Sequence, residues 1–163
     1  MVLNEYEQFI ENVIKQLCEN SRFSQTTEFR QHGKISIYEH SIAVAHMSCW
    51  LAYKFHFNVD YASLIKGALL HDYFLYDWHD RSNGYRLHAF SHARKALQNA
   101  CEDFELTPKE KNIILRHMFP LTPIPPYYLE SWIICVADKF CALKETLQIN
   151  DIQLKKMYRS ISV

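Results

Sequence analysis

The sequence predicts an all-helical domain, on two observations. Apolar residues recur three and four positions apart through most of the chain, as helices with one buried face require, and only three glycines occur, Gly33, Gly67 and Gly84. With 163 residues, 48% of them hydrophobic, the chain has apolar material for one substantial core and is expected to form a compact single-domain helical bundle over residues 1–163.

The elements follow from local signals. Phe9, Ile10, Val13, Ile14 and Leu17 form one stripe of a first helix from about residue 4 to 19. A second helix should begin near Ser36 or Ile37 and reach about Phe55, with Glu39 suiting the dipole at its start. Asp60 is a good N-cap for a third, DYASLIKGALLHDYF, with Leu64, Ile65, Ala68 and Leu69 facing a core and His71 and Asp72 at its C-terminal end. From Asp77 to His88 no period persists, and Asp80, Ser82, Asn83 and Gly84 read as a loop. Ser91 caps a fourth helix to about Cys101. Thr107-Pro108-Lys109-Glu110 unites an N-cap, a first-turn proline and a capping-box glutamate, which starts a fifth helix over 108–118. Pro120, Pro123, Pro125 and Pro126 force an extended connection before a long sixth helix from about Tyr128 to Gln148, and Asp151 caps a short last one.

Composition excludes several classes. Eighteen basic and eighteen acidic side chains cancel, so the global positive field of a protein that binds polymeric nucleic acid is missing. Five cysteines, Cys18, Cys49, Cys101, Cys135 and Cys141, form no C-x-x-C element and suggest neither a disulfide framework nor a zinc ribbon. The N-terminus has no secretory pattern, and the longest apolar stretch, WIICVA, is too short to cross a bilayer, so the expectation is a cytoplasmic protein with reduced thiols and no membrane partner.

The chemistry lies in His40, the adjacent pair His71-Asp72, His92, His117 and Asp138. Imidazoles and carboxylates bind divalent transition metals, and six of them on separate helices could surround one or two ions. A single histidine in a helix is more often a hydrogen-bonded or exposed residue than a ligand. The His71-Asp72 pair carries more weight, since it follows the apolar run GALL and places two polar side chains where the helix was burying aliphatic ones.

These residues resemble the signature of the HD-domain superfamily of metal-dependent phosphohydrolases: a His, a His-Asp pair and a late Asp on successive helices. The matching segments are YEHSIAVA around His40, ALLHDYF around His71-Asp72 and CVADKFCAL around Asp138, and the resemblance covers about residues 35–145. Binuclear members add two histidines between the pair and the last Asp, for which FSHARKAL offers His92 and IILRHMFP offers His117. The resemblance implies that Asp72 contacts two ions, with three ligands per metal plus that bridge. His88 lies four residues before His92 and would share its face if the fourth helix began early, but Ser91 as cap favours His92. His32, His46, His56 and His79 match no family position.

The chain departs from the family at Leu75, where many members carry a lysine three residues after the Asp of the pair. Asp77 and Asp80 follow instead, as solvated loop acids or as acceptors that orient ligand imidazoles. Between Arg81 and Cys101 no acid occurs, while Arg81, Arg86, Arg94 and Lys95 accompany His88 and His92; Arg116 adjoins His117 and Lys139 adjoins Asp138. Arg81, Arg86 and Lys139 are the candidates for clamping a phosphate beside Asp72. The loop from Tyr76 to Phe90 and the proline-rich segment should rim the site, with Tyr85, Phe119, Tyr127 and Tyr128 stacking on a base or packing the loops.

The resulting expectation is hydrolysis of a small phosphorylated substrate, an ester or anhydride and by preference a nucleotide, by metal-activated water. No cysteine has a local His partner, so nucleophilic catalysis is unsupported. Inositol-oxygenase-like members hold a di-iron centre with a similar ligand pattern, and a non-catalytic binding module is the third reading, though the ligand set is intact. The ligands suit Fe, Mn, Zn, Ni or Co alike, and oligomeric state is open.

Overall fold

A computed structural model describes residues 3–19, 21–77 and 88–147. Among these, helices α1 (Leu3–Glu19), α2 (Ile37–Lys54), α3 (Tyr61–Leu70), α4 (His88–Asp103), α5 (Pro108–Arg116) and α6 (Leu129–Thr146) form an all-α domain. A 3-10 turn at Phe23–Thr27 and a two-stranded antiparallel hairpin, β1 (Arg30–His32) and β2 (Ile35–Ser36), precede α2. The loop expected over 78–87, with His79, Asp80, Arg81, Tyr85 and Arg86, and the short helix expected at Asp151 lie outside the described residues.

Each boundary has a local cause. The Ser36 hydroxyl accepts from the Glu39 amide while the Glu39 carboxylate accepts from the Ser36 amide, a full capping box that starts α2. Asp60 caps α3 through the amides of Ala62 and Ser63, and Thr107 and Glu110 form a second capping box at α5 with Pro108 behind the cap. Helix α3 is shorter than its apolar run. It stops at Leu70, and Tyr73 and Phe74, both fully buried, continue the apolar pattern in a turn whose amides bond to the Leu70 and Asp72 carbonyls. Helix α4 begins at His88, so Ser91 stands inside its first turn and is not its cap.

The hairpin is a departure from the purely helical expectation. Gly33 turns it with φ of +59°, the left-handed conformation glycine adopts without a Cβ penalty. It packs against α2 and, through β1, against α6.

Helix α2 is central. It lies against α1, α3 and α6, and α5 packs on α3, α4 and α6. Its buried residues from His40 to His46 run all the way round the helix, which small side chains such as Ser41, Ala43 and Ala45 permit. Leu64, Ile65, Ala68 and Leu69 of α3, Ile10, Val13, Ile14 and Leu17 of α1, and Ile113, Ile114, Ile133 and Ile134 complete one core. Helices α3 and α5 pack tightly at Gly67, where an added Cβ would stand 2.6 Å from Ile113 Cδ1. That close approach sets the spacing between the two helix ends that carry His71 and His117.

Candidate metal centre

Five elements deliver the polar cluster. His40 sits in the first turns of α2, His71 is the C-cap of α3 with Asp72 next to it, His92 lies in α4, His117 is the C-cap of α5, and Asp138 lies in α6. All six are buried. They form two groups that share Asp72: His40, His71, Asp72 and Asp138 in one, Asp72, His92 and His117 in the other, each with one ligand atom per residue lying within 4.8 Å of the rest.

The two Asp72 oxygens divide between the groups. Oδ2 lies 3.3 Å from His71 Nε2 and 3.8 Å from His40 Nε2, while Asp138 Oδ1 lies 3.1 Å from His40 Nε2 and 3.7 Å from His71 Nε2. Oδ1 lies 3.2 Å from His92 Nε2 and 3.4 Å from His117 Nε2, and those two nitrogens are 3.0 Å apart. Two donors bound to one ion at about 2.1 Å, at right or tetrahedral angles, stand roughly 3.0 to 3.4 Å apart. The second group has that spacing throughout, and the first in its closest pairs.

Helix ends fix the imidazoles. His71 Nδ1 donates to the Ala68 carbonyl at 2.7 Å and His117 Nδ1 to the Ile114 carbonyl at 2.8 Å, in each case the residue three before a helix C-cap. With the proton held on Nδ1, neutral His71 presents a bare Nε2 lone pair to two carboxylate oxygens. That juxtaposition requires a cation between them, a proton or a metal. Consistently, His71 Nε2 and Asp72 Oδ1 are buried without a hydrogen-bond partner, an arrangement that costs stability unless something else satisfies them. The residues present therefore fit a metal ion, with His40 aligned by the Glu145 carboxylate, which accepts from Nδ1 at 2.9 Å.

Electrostatics agree with the geometry. Burial by itself lowers the His40 pKa, but the hydrogen bonds and charges of Asp138 and Glu145 outweigh it and push it up to about 9. For His71, burial is likewise overcome by Asp72 and Asp138, and the pKa is raised. Burial would raise both carboxyls, yet the surrounding imidazoles hold Asp72 and Asp138 well below the usual carboxylate range. Burial also lowers His117, keeping it neutral. The carboxylates are anionic and His117 is neutral, whereas His40 and His71 are driven toward the protonated form: the carboxylates call for positive charge among them, which a metal would supply in place of those protons.

Two site residues carried no signal strong enough to single them out. Gln31, on β1, donates from Nε2 to Asp72 Oδ2, and its Oε1 is buried without a partner. Glu145 stands seven residues after Asp138, two turns along the same helix, and that spacing is the one clue to it.

Of the remaining candidates, Lys139 borders the cluster. Lys139 Nζ donates to the His117 carbonyl at 2.8 Å and to the Cys135 carbonyl at 3.2 Å, and stands 4.0 Å from Asp138 Oδ2. Arg81 and Arg86 are outside the described residues, as is the side chain of His88, although the backbone places His88 one turn before His92 in α4. Arg94 is exposed, and Lys95 bonds Gln98. Asp77 is exposed and Asp80 lies outside the described residues, while the Nδ1 acceptors of His40, His71 and His117 are Glu145 and two backbone carbonyls. Leu75 packs against the core. Phe119 meets Trp132 edge-on and packs the proline segment onto α6, while Tyr127, largely exposed, meets its neighbour Tyr128. His46 is buried and His56 exposed, neither with the cluster, and all five cysteines are free. No helix of the described residues is long and apolar enough to cross a membrane.

Comparison with curated proteins and with solved structures finds no match. The family model described as HD domain matches residues 37–143, well over half the chain and all six residues of the cluster. With its His, His-Asp and Asp positions converged in one buried cluster, the chain belongs to the HD-domain family.

Proposed function

We propose that this protein is a binuclear metal-dependent phosphohydrolase that cleaves a phosphate ester or anhydride, by preference a nucleotide. The observation that carries the reading is the division of Asp72: each of its oxygens faces a different set of imidazoles, as a bridging carboxylate does. His40, His71, Asp72 and Asp138 would hold one ion, and Asp72, His92 and His117 the other. When bound, divalent ions supply Lewis acidity toward phosphoryl oxygens and bring the pKa of water toward neutrality.

The chain's own residues do the rest. The Ala68 and Ile114 carbonyls keep protons on Nδ1 of His71 and His117, so both Nε2 atoms face the cluster as donors of electron pairs. Glu145 does the same for His40 and stabilises its charge when it is protonated. Gln31 steers Asp72 through Oδ2 and leaves its own carbonyl oxygen free to accept from a water or a substrate hydroxyl. Lys139 would offer a proton of its ammonium group to a substrate phosphate while keeping its bond to the His117 carbonyl. Arg81 and Arg86 are the further phosphate clamps proposed on sequence.

Metal analysis of the purified protein, followed by a screen of nucleotides and other phosphate esters, tests the reading. Two ions per chain and phosphate release that Asp72→Ala abolishes are expected. Wild-type activity in Asp72→Ala would show the site misassigned. Bound iron with dioxygen-dependent turnover of a polyol and no phosphate release would move the protein to the oxygenase-like class.

A further inference from the structure

The outer face of α6 has almost no polar surface. Its exposed positions, with the following Leu147, are Leu129, Trp132, Val136, Lys139, Phe140, Leu143, Thr146 and Leu147, and six of these eight are large and apolar. Their side chains are between 41% and 60% exposed. The one charged member, Lys139, lies on the flank of this face, about 60° round the helix from Val136 and bonded to the His117 and Cys135 carbonyls, so its ammonium stays at the edge, open to water and to substrate, when the face is covered.

The apolar positions fall on a pattern symmetrical about Val136. Leu129 and Leu143 stand seven residues to either side of it, Trp132 and Phe140 four to either side, and Leu147 extends one end. Running from Leu129 to Leu147 in steps of three and four that average 3.6, the stripe stays on one side of a straight helix over roughly 27 Å. When two such helices cross antiparallel about a two-fold axis, Val136 meets its own copy, Trp132 meets Phe140, and Leu129 meets Leu143. The smallest of these side chains lies at the crossing point, where the backbones come closest.

We propose that this stripe is a homodimer seam, with two copies of the chain packed antiparallel along α6 and Val136 on the two-fold axis. The six side chains present on the order of 600 Å² of apolar surface per copy, near the upper limit for an isolated monomer patch, and two copies bury on the order of 1,200 Å², enough for a specific dimer. Leu121, Ile124 and Tyr127 are also exposed, in the proline segment whose Phe119 meets Trp132 edge-on. An anionic membrane surface would call for a rim of Lys and Arg, which the exposed face of α6 does not provide. Asp138, about 200° round the helix from Val136, points into the protomer, so pairing leaves the metal cluster of each copy clear of the seam.

Sedimentation velocity of the full chain at micromolar concentration tests the proposal. The wild type should sediment as a dimer, and Val136→Glu and Val136→Lys should each be monomers, with dissociation constants raised about 100-fold or more by two buried like charges. An equal mixture of the two variants should recover a dimer, because the opposite charges meet at the axis. Far-UV circular dichroism and metal stoichiometry of both variants should equal those of the wild type, since Val136 is exposed in the protomer. A monomeric wild type, as when residues 148–163 or another protein cover the stripe, would overturn the proposal. So would a dimer that survives Val136→Glu, or a mixture that stays monomeric.

Discussion

His40 and Glu145, separated by 105 residues in sequence, are joined by a hydrogen bond of 2.9 Å from Nδ1 to the carboxylate, and the same ring directs Nε2 to Asp138 Oδ1 at 3.1 Å. The carboxylate fixes ring orientation and tautomer together. Glu145→Gln keeps the side chain's size and removes its charge, and should weaken metal binding about 10- to 100-fold. Titration against a chelator of known affinity checks this, and an unchanged affinity would assign Glu145 a purely structural place.

The two groups around Asp72 are not equivalent. His92 belongs to the three-residue group alone, with neighbours at 3.0 and 3.2 Å, whereas the other group keeps four residues without it. His92→Ala should therefore reduce the metal content from two ions to one, while His71→Ala disturbs the larger group. Elemental analysis of dialysed protein distinguishes the outcomes, and two ions retained in His92→Ala would remove this histidine from the proposed ligand set.

Gly67 is a tight contact between α3 and α5. A methyl group there would meet Ile113 Cδ1 at 2.6 Å and Cγ2 at 2.8 Å, and the branched side chain cannot move both away without shifting in its own packing. Gly67→Ala should cost about 1 to 3 kcal/mol despite the better helix propensity of alanine. Chemical denaturation measures the loss. A more stable variant would mean that α5 yields freely.

His46 is buried beside Tyr6, neither ring nitrogen has a hydrogen-bond partner, and burial lowers its pKa to about 4. A folded-state pKa below the unfolded value near 6.5 means that the unfolded chain binds the extra proton first. The neutral ring leaves stability intact above about pH 6.5, and stability is lost as pH falls from there toward 4, by about 3 kcal/mol in all. His46→Leu should flatten that part of the profile, measured as denaturation midpoints at successive pH values. An equal acid loss in both proteins would place the titrating group elsewhere.

Much of the fold was legible because its signals are local. Thr107, Pro108 and Glu110 announce the start of α5, and Asp60 that of α3, since a cap and its amides lie within one turn. Where packing overrides local pattern, the apolar run extends past the element: Tyr73 and Phe74 are as buried as any helical core residue but stand in a turn. Strands of three and two residues are too short to establish an alternating period, so the hairpin was missed, and with it the approach of Gln31 to Asp72. Ser91 resembled a cap, yet α4 begins one turn earlier. The convergence of His40, the His71-Asp72 pair and Asp138 was foreseen through the family pattern. Glu145 was not, because one more carboxylate on a charged helix end has no signature of its own.

The cluster also divides the chain in a particular way. Residues before 78 contribute His40, His71 and Asp72, and residues after 87 contribute His92, His117 and Asp138. Neither part holds a whole group. The four-residue group borrows Asp138 from the second part, and the three-residue group borrows Asp72 from the first. Two stretches of the chain thus complete each other's groups, so the buried cluster exists only where both are folded together.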